Sequence, residues 1–183
     1  MNEYGRQAVH LIVGLLIAAV IFATGAEVSL MLFTGGLLAG FAVLGLIAAG
    51  KKVPFFSGML DAFERDVRIP GFGAICFVVS TVFCLAVFPE EYALVGVVSL
   101  AVLDSVSTMA GTAFGRHRII NGKTWEGSLA GLVATAVVLL LFISPLYVVV
   151  VAVAAAIAEL ISPVEDNLVI PPVVCLVLLM LPA

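Results

Sequence analysis

Apolar runs long enough to cross a lipid bilayer fill most of this chain and limit its possible folds more than any other feature. A helix that crosses the hydrocarbon core needs roughly 20 apolar residues, with somewhat shorter spans possible. Seven runs are of this kind, at residues 8–24, 27–50, 71–88, 92–114, 126–144, 147–162 and 168–182. Because lipid offers no partners to backbone polar groups, such runs form helices. The sequence therefore predicts an all-α, polytopic integral membrane protein with about seven transmembrane helices.

Composition excludes an ordinary soluble domain. Of the 183 residues, 63% are hydrophobic and 11% are charged, whereas soluble domains carry about 25% charged residues. Mean hydropathy is +1.30. We expect one membrane-embedded catalytic domain over residues 1–183, with inner loops at about 51–70, 115–125 and 163–167.

Charge placement predicts the orientation of the chain. If Arg6 is cytoplasmic and seven spans alternate, all other basic residues are also cytoplasmic: Lys51, Lys52, Arg65, Arg68, Arg116, Arg118 and Lys123. The opposite face then keeps only acidic residues, namely Glu27, Glu90 and Glu91. This asymmetry is the positive-inside pattern. It predicts a cytoplasmic N-terminus, cytoplasmic catalytic loops and a C-terminus on the opposite side.

Two patterns concern packing at the membrane. Small residues at Gly36, Gly40 and Gly45 favour close helix approach in the second span. In the first inner loop, apolar residues recur at helical spacing between Phe55 and Phe63, which is typical of a helix lying in the interface. Such a helix would either seal the bundle or guide a lipid head group toward the site.

Three acidic residues fall near the predicted inner face. Asp104 lies in the fourth run, about 16 Å along a helix from Gly115. A carboxylate at membrane depth is destabilising by roughly 2.5 to 3.5 kcal/mol unless it faces a cavity, a partner or an ion. Glu159 and Asp166 follow near the inner ends of the last two runs. Oxygen ligands of this kind suit Mg²⁺; the alternative is that these carboxylates only hydrogen-bond neighbouring helices.

The loop before the fifth run combines cations with a helix start. It contains Arg116, His117, Arg118, Lys123 and Thr124. Basic side chains bind phosphate through charge-assisted hydrogen bonds, and the free N–H groups of a helix start add to the attraction. The alternative is that these cations only anchor the loop and set topology. With the acidic residues nearby, we favour nucleotide binding.

Arg6 and His10 stand one turn apart at the inner end of the first run. A histidine in this position is commonly an interfacial residue with its polar tip toward water. Because its ordinary pKa lies near neutrality, it is also suited to contact a phosphate or to accept a proton. We therefore include Arg6 and His10 as lipid or phosphate contacts.

Several segments together resemble the CTP-dependent dolichol and phytol kinases, a group of polyprenol kinases within the broader phosphatidate cytidylyltransferase-like membrane enzymes. The matching segments are Arg6-Gln7-Ala8-Val9-His10, Asp104 with Gly111, Gly115-Arg116-His117, Lys123-Thr124-Trp125-Glu126-Gly127-Ser128, and Glu159 with Asp166-Asn167 and Pro171. The match spans nearly the whole chain, and the Lys-Thr-x-Glu-Gly-Ser segment is its most specific part.

The resemblance implies transfer of the γ-phosphoryl group of CTP to a lipid alcohol from the bilayer, with Mg²⁺ or another divalent cation as cofactor. It places Asp104 and Asp166 on the metal and assigns catalytic roles to Asp104, Lys123, Glu126 and Glu159. The residues it gives to nucleotide binding are Arg116, His117, Arg118, Lys123, Thr124, Gly127, Ser128 and Asn167. Membrane lipids are expected partners, and nucleic acid is not.

Two other functions are compatible with the same residues. A cytidylyltransferase that forms a CDP-activated lipid, like the CDP-archaeol or CDP-diacylglycerol synthases, would use similar carboxylates and cations. A non-enzymatic transporter would use the basic inner face as a vestibule, although no charged path leads from it to the outer side. Product analysis separates the enzymes, because the kinase releases CDP and the cytidylyltransferase releases pyrophosphate.

Overall fold

A computed structural model describes residues 3–51, 71–162 and 164–182, and these are helical almost throughout. The helices are α1 (Glu3–Ala48), α2 (Phe72–Val87), α3 (Glu90–Phe114), α4 (Trp125–Leu139), α5 (Pro145–Ile161) and α6 (Asp166–Met180). A single turn of 3₁₀-helix, Ile120–Gly122, lies between α3 and α4. The expected all-α class is confirmed for the described residues.

The first two predicted runs form one element, α1, that is interrupted at Gly25. This glycine has a φ of 79° and a ψ of 170°, values outside the helical region. Residues other than glycine rarely adopt such a φ, so the sharp bend depends on the missing side chain. Beyond the bend, Oε2 of Glu90 accepts a hydrogen bond of 2.8 Å from the backbone N–H of Ala26. The connector expected between the runs at residues 8–24 and 27–50 is thus a one-residue break, capped by a carboxylate from α3.

Within residues 3–51, 71–162 and 164–182, two helices are long and apolar enough to cross a membrane, namely Glu3–Ile47 and Glu90–Phe114. The other four helices are apolar but have 15 to 17 residues. Seven helices of spanning length are therefore not confirmed. Large apolar side chains nevertheless cover the outside, with Phe22 78% exposed, Met31 74% and Leu141 82%. Soluble proteins seldom expose apolar surface so widely, and this pattern favours a lipid environment.

Helix α3 is the centre of the bundle. From Ala93 to Leu103 every side chain is buried, and the helix packs against α1, α4 and α6. Gly96 of α3 lets this helix pack closely against α6. A Cβ at Gly96 would lie 3.0 Å from the carbonyl oxygen of Pro171. Burial on all sides fixes α3, and with it Asp104, relative to the neighbouring helices.

Helix α4 is held against α3 by backbone contact. A Cβ at Gly127 would lie 2.4 Å from the carbonyl oxygen of Ser107, and one at Gly131 would lie 3.0 Å from that of Leu103. The same close packing reaches two small residues that follow Asp104 on α3. Gly111 and Gly115 receive the side chain of Thr124, whose Oγ1 would lie 2.9 Å from a Cβ at either glycine.

Two packing expectations have different outcomes. Gly36, Gly40 and Gly45 have no atom within 4 Å of a Cβ built on them, so the expected close helix contact is wrong for the described residues. The interfacial helix expected between residues 55 and 63 lies outside the described residues.

Candidate active site

Three carboxylates from three different helices meet at one end of the bundle. Asp104 comes from α3, Glu159 from the last turn of α5, and Asp166 from the first turn of α6. Each offers an oxygen atom, and these atoms all lie within 4.8 Å of one another. Glu159 is fully buried, whereas the Asp104 and Asp166 side chains are 19% and 22% exposed. We call Asp104, Glu159 and Asp166 the acidic cluster.

The ammonium group of Lys123 lies against two members of the acidic cluster. Its Nζ is 2.9 Å from Oε1 of Glu159 and 2.7 Å from Oδ2 of Asp166. Burial favours the neutral amine, but the adjacent carboxylates outweigh burial and raise the pKa of Lys123 above its ordinary value. The lysine therefore stays protonated throughout the physiological pH range, as a fixed positive charge.

Glu159 keeps one oxygen free of partners. Its Oε1 accepts hydrogen bonds from the Ser107 hydroxyl and from Lys123. Its Oε2 is buried and has no hydrogen-bond partner in the described part of the chain. An unpaired carboxylate oxygen in the interior is destabilising, and a bound cation would remove this cost. This free oxygen is therefore available to a ligand.

The separation of the carboxylates fits a small divalent cation. Oxygen ligands lie about 2.1 Å from Mg²⁺, so oxygens on opposite sides of the ion are about 4.2 Å apart. The oxygens of the acidic cluster lie within 4.8 Å of one another. Because ligands on adjacent sides of an octahedral ion are only about 3 Å apart, the carboxylates would draw closer together when the ion binds. The sequence interpretation placed only Asp104 and Asp166 on a metal, and the structure adds Glu159 to that set.

The connector between α3 and α4 folds back on itself and carries Lys123 to the acidic cluster. Arg118 and Thr124 form an isolated antiparallel bridge, and the N–H of Ile119 donates to the Lys123 carbonyl oxygen at 2.8 Å. Asn121 adopts a positive φ of 56° at the tip, where its side-chain amide donates to two carbonyl oxygens at the end of α5. The tip is thereby attached to the helix that carries Glu159.

Glu126 organises the other half of this connector. Its Oε2 accepts hydrogen bonds from the backbone N–H groups of Arg116 and His117, at 3.1 and 3.3 Å. Its Oε1 lies 2.6 Å from Nδ1 of His117. The resemblance implies a catalytic role for Glu126, which stays a prediction; the structure places its carboxylate on the loop backbone, and Lys123 is oriented by Glu159 and Asp166.

Exposed residues of the connector border an open pocket. Arg116, His117 and Arg118 are all exposed, in contrast to Lys123. The pocket is lined by Ala113, Phe114, Gly115, Arg116, His117 and Glu126. A charged, water-accessible depression beside a helix start is suited to an anion. Arg116 and His117 therefore lie where a phosphate or nucleotide could approach them.

The remaining predicted nucleotide contacts lie in helix packing. Thr124 caps α4, with its Oγ1 accepting a hydrogen bond of 3.2 Å from the N–H of Gly127. Gly127 and Ser128 are buried. Asn167 donates a hydrogen bond of 3.1 Å to the carbonyl oxygen of Gly73, linking α6 to α2. These residues hold the helices around the site together, and nucleotide contact by them stays a prediction.

The two predicted contacts on α1 differ in position. His10 reaches the site, with Nε2 at 3.6 Å from Oδ2 of Asp104 and its ring against Phe77. Arg6 pairs with Glu3 one turn earlier on the same helix. Of the two, His10 is therefore the residue beside the acidic cluster.

Ser107 is the site residue that the sequence interpretation missed. It stands three residues after Asp104, so both side chains lie on the same side of α3. A serine in an apolar helix commonly bonds to its own backbone, and Ser107 also lies 3.2 Å from the Asp104 carbonyl oxygen. The only available signal was its helical spacing from Asp104.

Comparison with known proteins gives one distant relative. An uncharacterized protein of Methanocaldococcus jannaschii is 29% identical over 183 residues, which covers 97% of this chain and 93% of that protein. No protein-family model matches the chain. No solved structure matches it either.

Proposed function

We propose that this protein is a CTP-dependent lipid alcohol kinase that transfers the γ-phosphoryl group of CTP to a polyprenol or dolichol-type hydroxyl. The single observation that carries the proposal is the meeting of Asp104, Glu159 and Asp166 within 4.8 Å, with Lys123 against two of them. Phosphoryl transfer depends mainly on positioning and charge neutralisation, and these groups provide both. The resemblance of the Lys-Thr-x-Glu-Gly-Ser segment to polyprenol kinases supplies the substrates.

The acidic cluster would hold Mg²⁺. Asp104, Glu159 and Asp166 each have an oxygen in reach of a common position. When bound, the cation would neutralise charge on the β- and γ-phosphates of CTP. The buried oxygen of Glu159 supports this assignment, because a cation would supply the partner that it lacks.

Cationic residues would bind the triphosphate. Lys123 is directed at the acidic cluster, and Arg116 and His117 line an open pocket on the same connector. Glu126 acts as a positioning residue, because its carboxylate holds the backbone of Arg116 and His117. Phosphate contact by Arg116 and Lys123 would place the γ-phosphorus near Asp104.

The lipid hydroxyl would attack the γ-phosphorus as the bond from that phosphorus to the β–γ bridging oxygen breaks, and CDP would leave. Asp104 is the proposed acceptor of the hydroxyl proton, because its side chain is 19% exposed whereas Glu159 is fully buried. His10, 3.6 Å from Asp104, is placed to take part in this proton transfer.

The proposal includes seven membrane spans, with the N-terminus and the acidic cluster on the cytoplasmic side and the C-terminus on the opposite side. Support comes from the bend at Gly25, which allows α1 to supply two spans, and from the exposed apolar side chains around the bundle. Cysteine labelling of intact cells at Glu91 and Arg118, substituted one at a time in a variant whose three native cysteines have been replaced, tests the sidedness. Reaction with an impermeant reagent is expected only at position 91.

The test uses CTP carrying radioactive phosphorus at either the γ or the α position, with purified protein, Mg²⁺ and polyprenol. The kinase would transfer label to the lipid from γ-labelled CTP only. Asp104→Ala and Lys123→Ala should abolish this transfer, whereas Lys51→Ala, which removes an exposed lysine outside the cluster, should not. Transfer that survives in both site variants would refute the assigned roles.

Labelled CTP and a liposome flux assay also distinguish the kinase from the other two candidate functions. Label transferred from α-labelled CTP to a phosphorylated lipid, with release of pyrophosphate, would identify a cytidylyltransferase. Solute flux into liposomes without CTP would instead identify a transporter. A panel of nucleotides and lipid alcohols, with products identified by mass spectrometry, would then define the acceptor.

A further inference from the structure

Lys123 lies where a metal ion would bind. Its Nζ contacts Oε1 of Glu159 at 2.9 Å and Oδ2 of Asp166 at 2.7 Å, and both residues belong to the acidic cluster. Those distances are typical of charge-assisted hydrogen bonds. The ammonium therefore lies between two of the carboxylates that would hold a divalent cation.

The buried oxygen of Glu159 is a second observation that points to a ligand in this place. Glu159 is fully buried, and its Oε2 has no hydrogen-bond partner in the described part of the chain. Lys123 therefore pairs with only one of the two oxygens of this carboxylate, Oε1. A divalent cation would bring more charge to the cluster than one ammonium group does, and would give the free oxygen a partner.

A cation and the ammonium group would repel each other at such short range. A metal bound to the oxygens that Lys123 contacts would lie within about 5 Å of Nζ, since the metal–oxygen distance is about 2.1 Å. Two positive charges at this separation in a largely buried site are strongly unfavourable. The lysine side chain is long, flexible and 20% exposed, so it can move away toward water.

We propose that Lys123 and a divalent cation are alternative occupants of the acidic cluster. In the metal-free protein the ammonium group pairs with Glu159 and Asp166 and keeps these carboxylates together. When the cation binds, Lys123 leaves them and becomes available to the triphosphate. The role of Lys123 in binding the triphosphate rests on the proposed function. The exchange would make this lysine available to phosphate only after the metal has bound.

The first experiment measures Mn²⁺ affinity by paramagnetic resonance in detergent, without nucleotide or lipid. Lys123→Met should tighten Mn²⁺ binding about tenfold or more, because it removes the competing charge. Lys123→Arg, which keeps the charge, and Lys51→Met, which removes an exposed lysine elsewhere, should bind Mn²⁺ like the unmodified protein. Equal affinity in Lys123→Met and Lys51→Met would overturn the exchange.

The second experiment needs no variant and applies if Lys123→Met does not fold. An amine-reactive reagent labels the unmodified protein with and without Mg²⁺, and mass spectrometry compares labelling at Lys123 with that at Lys51. Mg²⁺ should increase labelling of Lys123 several-fold relative to Lys51. Unchanged or decreased labelling would show that the lysine stays on its carboxylates and would overturn the exchange.

These outcomes are separate from those of the kinase assay. Tighter Mn²⁺ binding in Lys123→Met together with a lack of phosphoryl transfer would support the exchange and refute the kinase. Phosphoryl transfer together with Mn²⁺ affinity that does not depend on Lys123 would support the kinase and refute the exchange. No Mn²⁺ binding by any of these proteins would also refute the exchange.

Discussion

The Ser107 hydroxyl of α3 donates a hydrogen bond to the Glu159 carboxylate of α5, which lies 52 residues further along the chain. Both side chains are buried, so the bond is shielded from water. It joins the central helix to the helix that supplies the most buried member of the acidic cluster. The position of Glu159 therefore depends on a small hydroxyl as well as on Lys123.

Ser107→Ala should destabilise the fold by about 1.5 to 3 kcal/mol, because hydrogen bonds to charged groups contribute this much. The measurement is thermal unfolding in detergent. Ser99→Ala is the matched control: Ser99 is buried on the same helix, and its hydroxyl has no hydrogen-bond partner in the described part of the chain. Equal losses in the two variants would contradict a special role for Ser107.

Gly127→Ala should destabilise the contact between α3 and α4 by about 1 to 3 kcal/mol, the usual range for overpacking. The added Cβ would lie 2.4 Å from the Ser107 carbonyl oxygen, so one helix must shift. Gly36→Ala is the control, since nothing lies within 4 Å of a Cβ at that position. Unfolding in detergent should separate the two variants, and similar stabilities would show that the helices are not in close contact.

Glu126→Ala should loosen the connector, because it removes the acceptor of two backbone N–H groups. Limited digestion with trypsin measures this, since cleavage after Arg116 or Arg118 requires local opening of the chain. We expect cleavage there to be several-fold faster than in the unmodified protein. Glu91→Ala, which removes an exposed carboxylate from the start of α3, should leave the rate unchanged. A slower or equal rate in Glu126→Ala would show that Glu126 does not hold the loop.

Glu90→Ala should lower stability by about 1 kcal/mol, the usual loss when a helix N-terminal cap is removed. Glu90 accepts the hydrogen bond of Ala26 just after the bend at Gly25. The neighbouring Glu91→Ala again serves as the control, because the two substitutions remove the same charge from adjacent positions. Thermal unfolding should show a loss only at position 90; equal loss at both would attribute the effect to charge alone.

Helix positions could be predicted from the sequence because local patterns determine them. Apolar runs bounded by glycine, proline or charged residues correspond to the helices from α2 to α6 within a few residues, except at the end of α4. The break between the first two runs, at Gly25, was harder to interpret. A backbone angle at one glycine decides whether the chain there forms two helices with a connector or one helix with a bend.

Helix contacts could not be predicted in the same way. Glycine spacing suggested close packing at Gly36 and Gly40, but close contacts between helices occur at other glycines, among them Gly14, Gly96, Gly127 and Gly131. Small residues permit close approach wherever they occur. Which of them are used depends on the neighbour that tertiary packing brings to each face.

The sequence by itself determined the helical class and the set of charged residues in an apolar chain, because hydrophobic runs and isolated carboxylates have strong energetic consequences regardless of context. Only the tertiary structure decided that Lys123 pairs with Glu159 and Asp166, that Ser107 supports Glu159, and that Glu126 binds the loop instead of the lysine. Side chains far apart in sequence meet through the relative positions of packed helices. Those positions follow from the summed packing of many apolar residues, which no single motif encodes.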